Sequence, residues 1–297
     1  MEGLSASSFY EELVLRNTTF ISAELQQKIS QSTVLVAGCG STGGSAVELL
    51  IRNGFTHLLL ADNGCYEINN ANRQNMTIAD DGKRKVDVFK DICESINPYA
   101  TIELYSEGIT SANVGELVSR ADIIIDGVDV TTESGLIAKY ALHQQAKQYN
   151  KVVVSGYDMA ACQYINILDY RNSAQEVLDN RITEQQIRSL PPLINCALLV
   201  PVNEIPYEMY EELEAVLLQG KTFVSQLGVA ANLFGLVSVW TLVKVLNDEP
   251  VQKEMNINVN ELLGIKLSSA QQENFTRKKA WLTQYIDDAR AHTEQEA

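Results

Sequence analysis

The stretch Gly38-Cys39-Gly40-Ser41-Thr42-Gly43-Gly44 constrains this chain more than any other, because of what flanks it. Thr33-Val34-Leu35-Val36-Ala37 comes before, an apolar, partly β-branched run that predicts a buried strand. Ser45 to Arg52 follows, apolar along one helical face and closed by Asn53-Gly54, a pair suited to a helix C-terminus. A second apolar run, His57 to Ala61, ends in Asp62, about twenty residues past the glycines. Strand, glycine turn, helix, strand and acid in that order describe a nucleotide site. Gly38, Gly40 and Gly43 let the backbone approach a phosphate, the helix N-terminus offers unpaired N–H groups, and Asp62 can accept from ribose hydroxyls. The alternative is a tight strand–helix turn that holds no ligand.

The alternation continues to Asp158. Thr101–Tyr105, Asp122–Ile125 and Val152–Ser155 predict further strands, and Lys85–Ile96, Ser111–Ser119 and Leu136–Tyr149 the helices between them. The fold class that follows is α/β: a doubly wound, mostly parallel sheet covered on both faces. Gln163–Tyr170 alternates apolar and polar residues and predicts an antiparallel extension. Residues 1–32 predict a helical arm ahead of one domain spanning 33–297. Residues 171–221 are denser in charge, and five of the six prolines lie between Pro191 and Pro250. They predict a mobile crossover insertion with short helices near Thr183–Ser189 and Pro206–Gln219. A strand near Met255–Val259 and a helix from Ser269 end the chain.

Composition narrows the function classes. With 297 residues and 45% hydrophobic content the chain can bury a large core. A net charge of −15 and no basic run exclude a DNA-binding module held by counterion release. The five cysteines are scattered and never spaced as CxxC, and there are only three histidines, so no zinc site is legible. The first fifteen residues contain Glu11 and Glu12 and no Lys or Arg, unlike a secretory signal. Leu227 to Val243 is seventeen residues without a charge, interrupted by Asn232, Ser238 and Thr241; it predicts a helix buried in a core or subunit interface and not a membrane span. The expectation is a soluble, cytoplasmic protein.

Three further segments carry chemistry. Asn69-Asn70-Ala71-Asn72-Arg73-Gln74-Asn75 is either a solvated loop or, beside a phosphate site, a clamp in which Arg73 holds a triphosphate. Lys83-Arg84-Lys85 opens a helix whose macrodipole favours anions there; Asp80 and Asp81 offset the three cations, or Lys85 turns towards bound phosphates. Asp126 and Asp129 end an apolar strand, where an open α/β sheet binds its ligands. One of them can hold Mg²⁺, which takes one or two protein oxygens and keeps most of its waters. The other, more plausibly Asp126, caps the following loop.

The order of glycine loop, Asp62, Asn70-x-x-Arg73-Gln74, Lys85, Ile96-Asn97-Pro98 and Asp126-x-x-Asp129 resembles the ThiF/MoeB family of ubiquitin-activating-enzyme-like adenylyltransferases, Rossmann-like proteins. The likeness covers roughly residues 13–170 and returns at 228–246. It implies that Asp62 holds the ATP ribose, that Asn70, Arg73, Gln74 and Lys85 surround the phosphates, and that Asp129 holds Mg²⁺ and is central to catalysis. The implied partners are a second copy of the chain and a small protein or peptide whose C-terminal carboxylate is adenylated. The rivals are a relative acting on a small-molecule or tRNA-linked carboxylate, like the threonylcarbamoyl-adenosine dehydratases, and a non-catalytic nucleotide-binding scaffold. Three features depart from the family. The zinc-binding CxxC pairs of many members are absent. Only Cys196 lies in the crossover, amid apolar residues, where it reads as a structural thiol. Glu12 stands where members carry an arm arginine that reaches the partner's ATP, and Arg16, one turn on, is the candidate to replace it.

Overall fold

The computed structural model describes residues 4–295, so the outermost residues of the expected arm and domain lie outside the described region. Seven strands form one sheet in the order β3-β2-β1-β4-β5-β6-β7. These are β1 (Thr33–Ala37), β2 (His57–Ala61), β3 (Thr101–Tyr105), β4 (Ile123–Asp126), β5 (Val152–Met159), β6 (Cys162–Asp169) and β7 (Glu254–Asn258). The first five pair in parallel and the last two antiparallel, the expected α/β architecture.

Strand periodicity sorts the side chains into two cores. Leu35, Leu59, Ile124 and Val153 face one side, and Val34, Val36, Leu58, Ile123 and Val154 the other. The second side is covered by α2 (Ala23–Gln31), α3 (Ser41–Arg52), α4 (Lys85–Ile96) and α10 (Gly228–Leu246). The first is covered by α5 (Val114–Arg120), α6 (Glu133–Gln148), the crossover helices α7 (Glu184–Ser189), α8 (Pro192–Leu199) and α9 (Tyr207–Gln219), and α12 (Ser269–Gln295). A short α1 (Ala6–Val14) opens the arm and α11 (Val259–Leu262) follows β7.

Helix α10 is long and apolar enough to cross a membrane, but Ala230, Ala231, Phe234 and Leu242 are buried against α3 and the sheet. The contact is intimate: a Cβ on Gly235 would stand 2.4 Å from the Ser45 carbonyl oxygen.

Three expectations change. Helix α3 starts at Ser41, four residues before the expected Ser45, so the last glycines of the motif lie inside its first turn. Strand β5 runs on to Met159, because β6 pairs with it along its whole length, from Val152↔Asp169 to Met159↔Cys162. The crossover is neither loose nor limited to two helices. Ile187, Leu190, Ile194, Leu199, Ile205 and Tyr210 are buried in the core, and Tyr207 and Tyr210 stack edge-on against Phe275 of α12. Of the dense charges that suggested mobility, Glu184 and Arg188 stand on its outer side, while Asp179, Arg181 and Glu212 are largely buried in ion pairs.

Candidate active site

The loops after β1, β2, β3 and β4, the end of β5 and the crossover enclose one cavity of about 860 Å³. Its wall at the glycine loop is largely backbone. Gly38 has φ +81°, and a Cβ there would lie 2.4 Å from the Gly127 carbonyl oxygen. A Cβ on Gly43 would lie 2.0 Å from the Gly38 oxygen. Loop, helix and β4 exit therefore touch without side chains, as close approach to a phosphate requires. Gly40 lines the same cavity, and α3 begins with no side-chain cap, which leaves its first N–H groups to a ligand. Asp62 braces this loop: its carboxylate accepts from Cys39 N (2.6 Å) and Gly64 N (2.7 Å). Both oxygens keep a lone pair for further donors.

Asn70, Arg73, Gln74, Lys85 and Asp129 line the same cavity. Asn70 is buried and shapes its loop, accepting from Glu67 N (3.2 Å) and donating to Asn69 Oδ1 (2.7 Å). Arg73 donates through Nη1 to the Asn69 carbonyl and to Asn72 Oδ1, both at 2.7 Å, and through Nε to Gln226 Oε1. Its Nη2 bonds nothing among the described residues. Burial lowers the guanidinium pKa, and Asp158 partly offsets this. Gln74 Oε1 is buried without a hydrogen-bond partner.

The three consecutive cations divide their duties. Lys83 pairs with Asp80 (3.0 Å) and Arg84 with Asp87 (2.7 Å). Lys85 forms neither an ion pair nor a hydrogen bond among the described residues; its Nζ lies over the Tyr66 ring, 5.9 Å from the centroid. Asp80 caps its own short turn and not α4, and Lys85 is the one of the three cations left without an ion pair among the described residues.

Asp126 and Asp129 separate just as sharply. Asp126 is fully buried; it accepts from Val128 N (3.1 Å), His143 Nε2 (2.9 Å), Ser155 Oγ (2.7 Å) and Lys139 Nζ. Burial alone would push its carboxyl up, but Lys139 and His143 hold it well below the usual range. His143 is itself pushed down by burial, despite Asp126. Asp129 is exposed to the cavity, and its Oδ1 accepts from Thr131 N (2.8 Å) and Oγ1 (2.7 Å). Its second oxygen is unbonded among the described residues, so it suits a hydrated Mg²⁺. No group of three or more His, Cys, Asp or Glu converges elsewhere among them as a metal site. Glu12 and Arg16 are exposed, and neither lines the cavity of its own chain.

The sequence pattern of the ThiF family matches residues 14–280. This chain belongs to the ThiF family. Over 137 residues it is 29% identical to a probable molybdopterin-synthase adenylyltransferase of Porphyra purpurea, covering 46% of this chain and 35% of that one. It thus spans only about a third of that relative's length. The crystal structure of selenomethionine PaaA superposes with a TM-score of 0.62 at 18% identity, over 88% of this chain and 73% of that one. The E. coli tRNA N6-threonylcarbamoyladenosine dehydratase TcdA, in complex with AMP, gives 0.58 at 18% identity, over 83% and 98%. At these identities the structural likeness speaks for the fold.

This ThiF-family chain also holds site residues that local sequence did not reveal. Asp158, near the end of β5, lines the cavity with both carboxylate oxygens buried and unpartnered. Burial pushes its carboxyl up to about 6, and the nearby Ser41 and Thr42 hydroxyls and Arg73 offset only part of this. Gln226 reaches Arg73 from 153 residues away and ties the segment before α10 to the clamp loop. Cys196 lines the cavity too. Its sequence neighbours include no cation, yet the fold brings Lys139 near; burial still wins and pushes the thiol up to about 12.

Proposed function

We propose that the protein is an ATP- and Mg²⁺-dependent adenylyltransferase that activates a carboxylate, the C-terminus of a small protein or peptide, as an acyl-adenylate. The observation that carries this reading is one cavity shared by a glycine loop packed backbone to backbone, Asp62, the unpaired Lys85, Arg73 with a free Nη2, and Asp129 with a free oxygen. A dehydrogenase has no use for the two cations and the free carboxylate.

The acceptor is already ionised at neutral pH, so no general base is required. Its oxygen attacks the α-phosphorus of ATP, the bond to the bridging oxygen breaks, and pyrophosphate leaves with that electron pair. Catalysis is then positioning and charge stabilisation. Asp62 accepts from the ribose while holding the glycine loop in place. Lys85 and Arg73 meet the charge gathering on the pyrophosphate, and the α3 N-terminus adds its N–H groups. Asp129 would hold Mg²⁺, which neutralises phosphate charge when bound. Asn70 and Gln74 keep the clamp loop in register beside the phosphates.

A homodimer completes this reading. The outward side of α10 exposes Leu236 (58%) and Trp240 (43%), an apolar stripe suited to a second copy. Arg16, remote from its own cavity, would then reach the partner's γ-phosphate. Free thiols at all five cysteines fit a cytoplasmic setting. Activity on a tRNA-linked carboxylate is the second reading, favoured by the match over 98% of TcdA and opposed by the net charge of −15.

The deciding experiment measures ATP·Mg²⁺ and NAD binding by calorimetry, then pyrophosphate exchange with candidate acceptors. ATP binding and acceptor-dependent exchange are expected. Tight NAD binding with no detectable ATP binding would overturn the proposal.

A further inference from the structure

The cavity has two chemically distinct halves. The glycine loop, Asp62, Arg73, Lys85 and Asp129 supply the polar half. The crossover supplies the other, lined by Cys196, Ala197 and Val200 at α8, Ile205 between the helices, and Met209 and Leu213 on α9. None of these six carries a charge, and Cys196 stays a neutral thiol, so it adds to the apolar wall. Among the described residues Arg73 and Lys85 are the only basic ones lining the cavity, and both belong to the polar half.

This asymmetry dictates how an acceptor can lie. Its carboxylate must reach the cationic half, where the α-phosphate sits. What precedes the carboxylate occupies the crossover half, since the two are continuous. A chain ending in two glycines would leave that apolar space unfilled, whereas a large apolar side chain would bury its whole surface there.

We propose that the crossover half is a specificity pocket that selects an acceptor with a large apolar side chain, of leucine, methionine or phenylalanine type, beside the reacting carboxylate. This rests on the adenylyltransferase reading of the polar half. Ala197 and Met209 both line it, one the smallest of the six side chains and the other among the longest, so each can be changed to alter the space available.

The test uses the full chain loaded with AMP and three synthetic probes, acetyl-Gly-Leu, acetyl-Gly-Gly and acetyl-Gly-Phe, followed by ligand-observed NMR. The leucine probe is expected to bind about tenfold or more tightly, the effect of moving one such side chain from water into an apolar site. Ala197→Phe, which fills the pocket, should erase the preference without changing AMP affinity. Met209→Ala, which enlarges it and avoids overpacking, should shift the preference from acetyl-Gly-Leu to acetyl-Gly-Phe. Equal binding of the first two probes by the wild type, or no binding of either, overturns the proposal. Loss of AMP affinity in Ala197→Phe overturns it too, because the pocket would then house the base of the nucleotide. The two readings fail separately: equal pyrophosphate release with the first two probes refutes the specificity pocket and upholds adenylation. A leucine preference in binding without any ATP consumption does the reverse.

Discussion

Replacing Asp158 by asparagine should make the protein more stable, and the gain should depend on pH. The two buried carboxylate oxygens have no hydrogen-bond partner, and burial raises the carboxyl pKa from the ordinary 3.8 to about 6. At about 1.4 kcal/mol per pH unit, the ionised form costs the folded state about 3 kcal/mol at neutral pH. Asparagine removes the charge but leaves a buried amide imperfectly paired, at a cost of about 1–2 kcal/mol. The net gain is then about 1–2 kcal/mol, a rise of roughly 2–3 °C in Tm for a chain of this size.

The sign follows from linkage. The folded pKa lies above the unfolded one, so the wild type binds the proton more readily when folded. Its relative stability is full below pH 3.8 and is lost as pH rises through about 6. The advantage of Asp158→Asn should therefore be largest above pH 7, shrink between pH 6 and 4, and vanish or reverse below that. Differential scanning calorimetry of both proteins from pH 4 to 8 measures it, with the difference in Tm cancelling the other titrating groups. A variant no more stable than the wild type at pH 8, or a difference that does not change with pH, would refute the reasoning. Function supplies the reason for keeping an unstable group: an unpartnered carboxylate in the cavity is where strained polar residues are expected to collect.

Other perturbations separate the remaining roles. Lys139→Met should cost about 3–5 kcal/mol in chemical denaturation by stranding the Asp126 charge, and Asp126→Asn in the same chain should recover part of it. Asp129→Ala should abolish pyrophosphate release while calorimetric ATP binding stays nearly intact, whereas Arg73→Ala should weaken both, since a phosphate clamp acts before and during the reaction. Cys196→Ser should retain adenylate formation, because a thiol pushed up to about 12 is not a nucleophile at neutral pH; loss of only a later transfer step would restore a covalent role. Arg16→Ala should raise the ATP concentration needed for activity and leave the sedimentation coefficient unchanged.

What the sequence made legible, and what it hid, divides by the range of the contacts involved. Thr33–Ala37, His57–Ala61, Thr101–Tyr105 and Lys85–Ile96 form as read, because an apolar run bounded by turn residues specifies its own element. Ser155-Gly156-Tyr157-Asp158 looks like the end of a strand, with a glycine and an acid breaking the pattern. It continues as strand because β6 supplies a hydrogen-bonded partner for each residue, and that carried Asp158 out of view. The crossover misled for a related cause: its charges are local, while the core and the α12 surface it buries against are not.

The pair Asp126 and Asp129 shows how the fold settles what spacing leaves open. Both end the same apolar strand, and the sequence favours Asp126 as the capping residue without saying what holds it. The register does: Asp126 is the last residue of β4, opposite Ala37, and points to the face that α6 covers. Lys139 and His143 stand one turn apart on that helix, so both reach the same carboxylate and consume it. Asp129 lies beyond the last paired residue of β4, where its side chain is exposed and, among the described residues, only Thr131 claims one carboxylate oxygen. The carboxylate left with an unpaired oxygen is therefore the one that escapes the sheet, and an extra residue inserted between Asp126 and Asp129 should lower adenylation far more than stability.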